Sequence, residues 1–300
     1  LEVLDRGAGA TKSGGITRRA AKMVMLDMDH PDIEEFITWK TREEDKALAL
    51  IRAGYSSDFN GEAYKTVSGQ NSNNSVRIPH KFMEAYLNNA KWQTFYRTNN
   101  ELAKEFDAKY LMDQIAHSAW RCADPGVQFD DTMNEWHTVP NNDKIRATNP
   151  CSEFVFLDDT SCNLASLNLM KFLKEDGIFD VEQFRNAIKI IFTAQEIAVE
   201  MSSYPTESIA KNSHDLRPLG LGYANLGTML MVSGIPYDSD KGRAIAGAIT
   251  AIMTGHAYKV SAQIAEKIGS FAHFEKNREP MLKVMNKHRD FAYKIDETLC

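Results

Sequence analysis

The first half of the chain alternates between short apolar runs and longer amphipathic stretches. Residues 23–30 alternate in polarity, which predicts a strand. After Pro31, an acidic first turn followed by apolar positions at helical spacing predicts a helix. Residues 55–75 are polar and predict a loop. The same patterns predict further helices over 78–88 and 104–120, and short strands over 126–130 and 154–157.

The second half is more helical. Long amphipathic patterns predict helices over 181–203 and 241–268, the latter with a cap at 238–240. Residues 222–232 predict a buried helix, and the glycines at 220 and 222 are interpreted as close helix packing. Strands separated by long helices indicate an α/β fold. Because no linker divides the chain, we expect residues 1–300 to form part of one domain.

Composition excludes several classes of protein. With 43% hydrophobic and 25% charged residues, the 300-residue chain resembles a folded globular protein. A net charge of −6 argues against binding to a nucleic-acid backbone, which requires a basic face. No apolar run approaches the roughly 20 residues of a membrane span, so we expect no membrane partner.

The cysteines are few. Cys122, Cys151, Cys162 and Cys300 are too sparse for a disulfide scaffold, and no CxxC pair indicates a structural zinc site. The histidines show no metal-ligand spacing either, so no metal site is predicted. This usage indicates a reducing compartment, and we expect the cytoplasm. Cys122 and Cys300 receive no functional role.

The segment Asn149-Pro150-Cys151-Ser152-Glu153 concentrates chemically active groups. Pro150 disfavours a helix or a central strand, so the segment is predicted to be a loop. If the loop is extended, residues 149, 151 and 153 project to one side. An amide, a thiol and a carboxylate would then face one substrate, and a second thiol, Cys162, follows eleven positions after the first.

Several long motifs resemble the ribonucleotide reductase family, and most closely its class II, adenosylcobalamin-dependent branch. They are residues 12–22, 68–76, 149–153, 158–169 and 217–225. The resemblance implies a ten-stranded α/β barrel with a central cysteine finger loop. It also implies that the chain is a central catalytic fragment, without the partner cysteine of an earlier strand and without the C-terminal half of the barrel. Around 49–61 the chain is shorter than many class II relatives.

The resemblance also assigns roles. Cys151 would carry a thiyl radical, Glu153 would be a general base, Asn149 would orient the ribose, and Cys162 would be one thiol of the reducing dithiol. The substrate-binding residues would be Asn149, Pro150, Cys151, Ser152 and Glu153. Outside this context, a buried structural cysteine and a solvated surface glutamate are the commoner interpretations. We expect Glu153 to lie in a dry pocket, where a carboxylate is suited to proton exchange.

A basic, glycine-rich stretch is similar to the loop that couples a deoxynucleotide effector to substrate choice. Its residues are Gly14, Gly15, Ile16, Thr17, Arg18, Arg19, Ala20, Ala21 and Lys22. Glycines let backbone amides approach a ligand, and arginines bind phosphates. Composition alone favours a flexible basic loop. Residues 68–75, which are rich in amide side chains, fit either a turn cluster or a surface facing cofactor or substrate.

The expected function is therefore reduction of ribonucleoside di- or triphosphates. Adenosylcobalamin would be the radical source, a deoxynucleoside triphosphate the effector, and thioredoxin or another dithiol the reductant, in a homodimer. Three alternatives stay open: a class I large subunit that takes its radical from a separate metal subunit, an amidase with Cys151 as nucleophile, and a non-catalytic nucleotide-binding module. The amidase requires a histidine close to Cys151, which the sequence does not nominate.

Overall fold

The computed structural model describes residues 1–11 and 22–300. The strands are β1 (Lys22–Asp27), β2 (Ser72–Ile78), β3 (Lys91–Phe95), β4 (Leu102–Asp107), β5 (Gly126–Phe129), β6 (Asn163–Asn168) and β7 (Leu219–Ala224). The helices are α1 (Glu2–Ala10), α2 (Ile33–Arg52), α3 (Glu62–Thr66), α4 (His80–Leu87), α5 (Ala108–Cys122), α6 (Asp130–Glu135), α7 (Val181–Met201), α8 (Glu207–Leu216), α9 (Leu226–Val232), α10 (Asp240–Ile268) and α11 (Phe274–Ala292).

The chain forms two compact units. The first comprises residues 1–136 and 145–156, and the second comprises residues 137–144 and 157–300. Each unit has its own apolar core. Within residues 1–11 and 22–300, no helix is both long enough and apolar enough to span a membrane.

The first unit is built on a parallel sheet in the order β1-β2-β5. Parallel neighbours require long crossover connections, and helix α2 lies in the connection from β1 to β2. The core of the unit includes Met28, Phe36, Val76, Phe82 and Leu111, all buried. Burial of each large apolar side chain contributes roughly 1.5–3 kcal/mol, so the helices and the sheet stabilise one another.

An antiparallel hairpin of β3 and β4 packs on this core. Lys91 pairs with Asp107 at one end of the ladder. The ring of Trp92 meets that of Phe82 edge to face at 5.1 Å, and its Nε1–H donates to the carbonyl of Met28 at 2.9 Å. The hairpin is thereby fixed to the turn between β1 and α2.

The second unit contains the parallel pair β6-β7 and the long helices α7 and α10. Its core includes Leu169, Phe184, Ile188, Leu230 and Met253. Side-chain caps define where the helices begin: Asp180 accepts from the N–H of Gln183 at the start of α7, and Ser239 accepts from that of Gly242 at the start of α10. Such caps satisfy backbone donors that a helix leaves unpaired.

The predicted α/β class is confirmed, and the strongly periodic elements agree with it. The expected strands at 23–30 and 126–130 correspond to β1 and β5, and the helices at 181–203 and 241–268 to α7 and α10. Among the residues described, the strands form three separate sheets and no closed barrel.

Four local predictions were wrong. Residues 104–107 belong to β4 rather than to a helix, because they pair with β3. Within the loop predicted over 55–75, residues 62–66 form helix α3 and residues 72–75 begin β2. Residues 154–157 form no regular strand. Residues 222–224 belong to β7, so the glycines at 220 and 222 lie in a strand and not in a helix contact.

Gly220 has a specific reason to lack a side chain. A Cβ at this position would lie 2.5 Å from Cδ2 of Leu164, 2.6 Å from Sγ of Cys162 and 2.8 Å from the carbonyl oxygen of Asn163. The backbone oxygen cannot move aside as a flexible side chain would. At Gly222 the nearest atom, Oγ of Ser166, is 3.9 Å away, which is ordinary contact.

We therefore expect Gly220→Ala to loosen the β6-β7 pair by overpacking, at a cost of about 1–3 kcal/mol. The measurement is hydrogen exchange of the strand amides in the complete polypeptide that contains these 300 residues. Gly222→Ala is the matched control and should exchange as the wild type does. Equal protection in the two variants would contradict the proposed close approach.

Candidate functional site

The Asn149–Glu153 segment turns sharply. The N–H of Ser152 donates to the carbonyl of Asn149 at 3.0 Å, which closes a four-residue turn with Pro150 and Cys151 at its centre. The segment is a loop, as predicted, but residues 149–152 do not have the extended geometry under which residues 149, 151 and 153 would project to one side. Proline at the second position of a turn is favoured, because its ring presets the required φ angle. Ser152 adopts a left-handed backbone conformation, with φ at 64°.

The side chain of Asn149 helps to hold this turn. Its Oδ1 accepts a hydrogen bond from the N–H of Phe154 at 2.9 Å. An asparagine that bonds the backbone a few residues ahead is a common turn stabiliser. Asn149 thus has a structural role in the loop, and its Nδ2 amino group makes none of the hydrogen bonds found among the described residues.

The thiol and the carboxylate of the loop face solvent. Cys151 is an exposed, free thiol. Glu153 is exposed as well, so the dry pocket expected around it is not formed by the part of the chain that the structure describes. Pro150 and Ser152 are half-buried. The structure therefore brings the amide, the thiol and the carboxylate together in one short loop of the first unit.

The loop is connected to the sheet by two polar residues that the sequence analysis missed. Nε2 of Gln128, on β5, donates to Oγ1 of Thr148 at 2.7 Å and to Oγ of Ser152 at 3.0 Å. Arg77, on β2, donates from Nη1 to Oε1 of Gln128 at 3.1 Å. A signal was present in the sequence, because each is a polar residue between two apolar residues of a strand.

Arg77 is almost fully buried, and acceptors surround its guanidinium. Nε and Nη2 contact Oδ1 of Asp130 at 3.0 and 2.5 Å. Nη2 also donates to the carbonyl of Ile145 at 2.8 Å. Because a buried charge must be paired and hydrogen-bonded, this arrangement fixes the position of the segment that leads into the Cys151 loop.

Cys162 belongs to the second unit, directly before β6. Its Sγ–H donates to the carbonyl of Asn163 at 3.3 Å, and the thiol occupies the space beside Gly220 described above. The buried Gln195 supports this position, since its Nε2 donates to the carbonyl of Gly220 at 2.7 Å and to that of Asn163 at 3.3 Å. Gln195 is a further residue that sequence spacing did not indicate.

The predicted effector loop falls almost entirely outside the described residues. Its members Gly14, Gly15, Ile16, Thr17, Arg18, Arg19, Ala20 and Ala21 are not described, and only Lys22 is. Lys22 begins β1, and its Nζ donates to the carbonyl of Leu1 at 3.1 Å. Burial lowers the pKa of this amine, while Asp5 raises it and Lys40 lowers it further.

The amide-rich stretch at 68–75 is tied to helix α1. The carboxylate of Asp5 accepts from the N–H of Gly69 at 2.9 Å and from that of Asn71 at 2.8 Å. The end of the stretch lies within β2. These contacts favour a structural role. Among residues 1–11 and 22–300, no three histidine, cysteine or carboxylate side chains come together as metal ligands.

Comparison with known proteins identifies the family. The family model described as "Ribonucleotide reductase, barrel domain" matches residues 1–298. A protein of Rhodopirellula baltica, "Vitamin B12-dependent ribonucleotide reductase", is 53% identical over 99% of this chain and 29% of its own length. "Vitamin B12-dependent ribonucleoside-diphosphate reductase" of Mycobacterium tuberculosis is 30% identical over 93% of this chain and 37% of its own length. The chain belongs to the ribonucleotide reductase barrel-domain family.

The relatives are much longer than this chain. The chain spans 29% and 37% of the two relatives just named, so it corresponds to about a third of each. A third relative, "Vitamin B12-dependent ribonucleotide reductase" of Agrobacterium fabrum, is 42% identical over 362 aligned positions, covering 98% of this chain and 28% of its own length. That alignment exceeds the 300 residues of this chain, so the Agrobacterium protein carries inserted residues, whereas the Rhodopirellula alignment covers 299 positions.

The turn geometry generates a test of Asn149. We expect Asn149→Ala to free the N–H of Phe154 and to speed its hydrogen exchange, because the loss of one such bond costs about 0.5–1.5 kcal/mol. Asn149→Asp keeps an acceptor oxygen at the same place and serves as the control. Exchange across residues 148–156 is measured by mass spectrometry. Identical protection in both variants would show that Asn149 does not hold the turn.

Proposed function

We propose that this chain carries the radical-bearing loop of an adenosylcobalamin-dependent ribonucleotide reductase. One observation carries the proposal: a tight turn presents the exposed thiol of Cys151 beside Asn149 and Glu153. The relatives named as vitamin B12-dependent reductases support the choice of class.

The proposed architecture is a ten-stranded α/β barrel. In this proposal, which follows the family resemblance, the Cys151 loop is the finger loop at the centre of that barrel. The parallel pairing of β1-β2-β5 within the first unit and of β6-β7 within the second supports the α/β architecture, because such folds are built from parallel strands joined by helices.

The chemistry begins at Cys151. Its sulfur radical takes the hydrogen atom from C3′ of the ribose, so an S–H bond forms and the C3′–H bond breaks. Glu153 accepts the proton of the 3′ hydroxyl, which eases departure of the 2′ hydroxyl as water. Asn149 orients the ribose hydroxyls through its Nδ2 amino group, which the turn leaves available. Pro150 and Ser152 complete the substrate-binding loop.

A dithiol supplies the reducing equivalents. Cys162 is assigned as one of its thiols, with the second thiol supplied from outside these 300 residues. The dithiol gives up two hydrogens and becomes a disulfide, while Cys151 returns its hydrogen to C3′ and regains the radical. The balance is ribonucleotide plus dithiol to deoxyribonucleotide, disulfide and water. Thioredoxin or another dithiol then restores the thiols by exchange.

The cofactor fits the chemistry of this loop. Cys151 is an exposed, free thiol, and such a sulfur is accessible to a bulky group from the solvent side. If bound, adenosylcobalamin would supply the organic radical, and Cys151 is the residue that would take it up as a thiyl radical. The contribution of the protein is to hold the sulfur in place.

The proposed allosteric effector, substrate and oligomeric state follow the family resemblance. A deoxynucleoside triphosphate effector is assigned to residues 14–22, where glycines and the arginines at 18 and 19 suit phosphate binding. The substrate is a ribonucleoside di- or triphosphate, and the protein is proposed to act as a cytoplasmic homodimer.

The test uses the complete polypeptide under anaerobic conditions, with a dithiol and either CDP or CTP. We expect deoxynucleotide only when adenosylcobalamin is added. Cys151→Ser should lower turnover by about 10³-fold or more, as loss of an essential catalytic group does. Cys300→Ser removes another exposed thiol and should retain activity.

Other outcomes distinguish the alternatives. Turnover that needs a metal-loaded partner subunit instead of cobalamin would assign the chain to class I and preserve the site. Activity that persists in Cys151→Ser would refute the proposed function.

A further inference from the structure

We propose that Gln128 is a positioning residue for Cys151, held in its orientation by Arg77. The inference rests on the proposed function, because it gives the Cys151 turn a mechanical support needed for radical chemistry. The residues concerned lie on β2, on β5 and in the loop at 148–152 of the first unit.

Gln128 contacts the loop on both sides of Cys151. Its amino group donates to Thr148, three positions before the cysteine, and to Ser152, one position after it. An amide amino group has two N–H donors, so both are used here. Thr148 and Ser152 also contact each other through their hydroxyl oxygens at 3.3 Å. The flanks of the turn are thus connected to a single strand residue.

Arg77 determines which way the amide faces. A guanidinium can only donate hydrogen bonds, so Nη1 must meet the oxygen of Gln128 and not its amino group. Arg77 is itself held by Asp130 and by the carbonyl of Ile145. Rotation of the Gln128 amide would set its amino group against the guanidinium and lose the Arg77 hydrogen bond, and the amino group is therefore directed at the loop.

The burial pattern of β5 is unusual for a purely structural strand. Gln128 is 2% exposed, whereas its apolar neighbours Val127 and Phe129 are 40% and 46% exposed. The polar side chain is thus on the inner face, where burial is unfavourable unless its groups are hydrogen-bonded. Its groups are bonded, and two of the three partners belong to the Cys151 loop.

Precision of this kind matters for atom transfer. Reactive groups have to be held within about 0.5 Å of the productive geometry by supporting residues. A misplacement of about 1 Å lowers rates by about 10²-fold even when substrate still binds. The left-handed backbone of Ser152 is fixed on one side by the turn hydrogen bond and on the other by Gln128. Loss of Gln128 should therefore release the cysteine more than the substrate.

The experiment compares Gln128→Met, Thr148→Val and Thr148→Ser in the complete polypeptide. Methionine keeps the length of glutamine without its hydrogen bonds, and serine keeps the hydroxyl that valine removes. We expect kcat to fall by about 10- to 100-fold in Gln128→Met and to fall in Thr148→Val, with a smaller change in KM than in kcat. Thr148→Ser should retain most of the wild-type kcat.

A second readout does not depend on turnover. Hydrogen exchange is followed at residues 148–156 and in β2 and β5, without cobalamin or substrate. The positioning role predicts faster exchange in the loop of Gln128→Met, with the strands still protected. Unchanged loop exchange together with wild-type kcat would overturn the inference. So would faster exchange throughout β2 and β5 with kcat and KM both altered, since that result indicates a structural role alone.

Cys151→Ser, assayed in parallel, separates this inference from the proposed function. If that variant is inactive and Gln128→Met is fully active, only the positioning role fails. If Cys151→Ser is active, the radical role fails, and a positioning role for that chemistry fails with it. In that case, the hydrogen-exchange data show only whether Gln128 holds the loop in place.

Discussion

The buried guanidinium of Arg77 is the constraint on which the first unit depends. A charge removed from water must be surrounded by acceptors, and removing one partner of such a pair typically costs about 3–5 kcal/mol. The acceptors here come from three segments: Asp130 at the start of α6, Gln128 on β5, and the carbonyl of Ile145 in the following loop. The sheet and the loop therefore have to assemble together.

The sequence predicted the elements whose pattern is local and long. Helix α7 shows sustained amphipathic spacing, and Ser239 provides a recognisable cap for the long helix α10. It failed where pairing partners decide the outcome. Residues Leu102–Asp107 form a strand because β3 lies beside them, and Leu219–Ala224 does so because Gly220 permits close approach of β6. The partner of β7 lies far away in the chain, and in both cases the neighbouring strand decides the outcome rather than the intrinsic preference of the segment.

The candidate site also has one part that the sequence reveals and another that only the structure reveals. The motif at 149–153 could be found from the sequence, because the thiol, amide and carboxylate are adjacent and the segment resembles a motif of the family. Its shape could not, since proline at 150 is compatible with both an extended loop and a turn. The supports of that shape, Gln128 and Arg77, are 24 and 75 positions away from Ser152 in the chain. Only the fold brings them to it.

The backbone of Ser152 also limits how the sequence can change over evolutionary time. A positive φ disfavours β-branched residues, which excludes threonine in practice, while glycine and asparagine tolerate it. The hydrogen bond from Gln128 requires a short side chain with an acceptor oxygen at this position. Serine, asparagine and aspartate meet both demands, and the larger apolar residues do not. Genetic drift next to the candidate radical cysteine is thus restricted by backbone geometry as well as by chemistry.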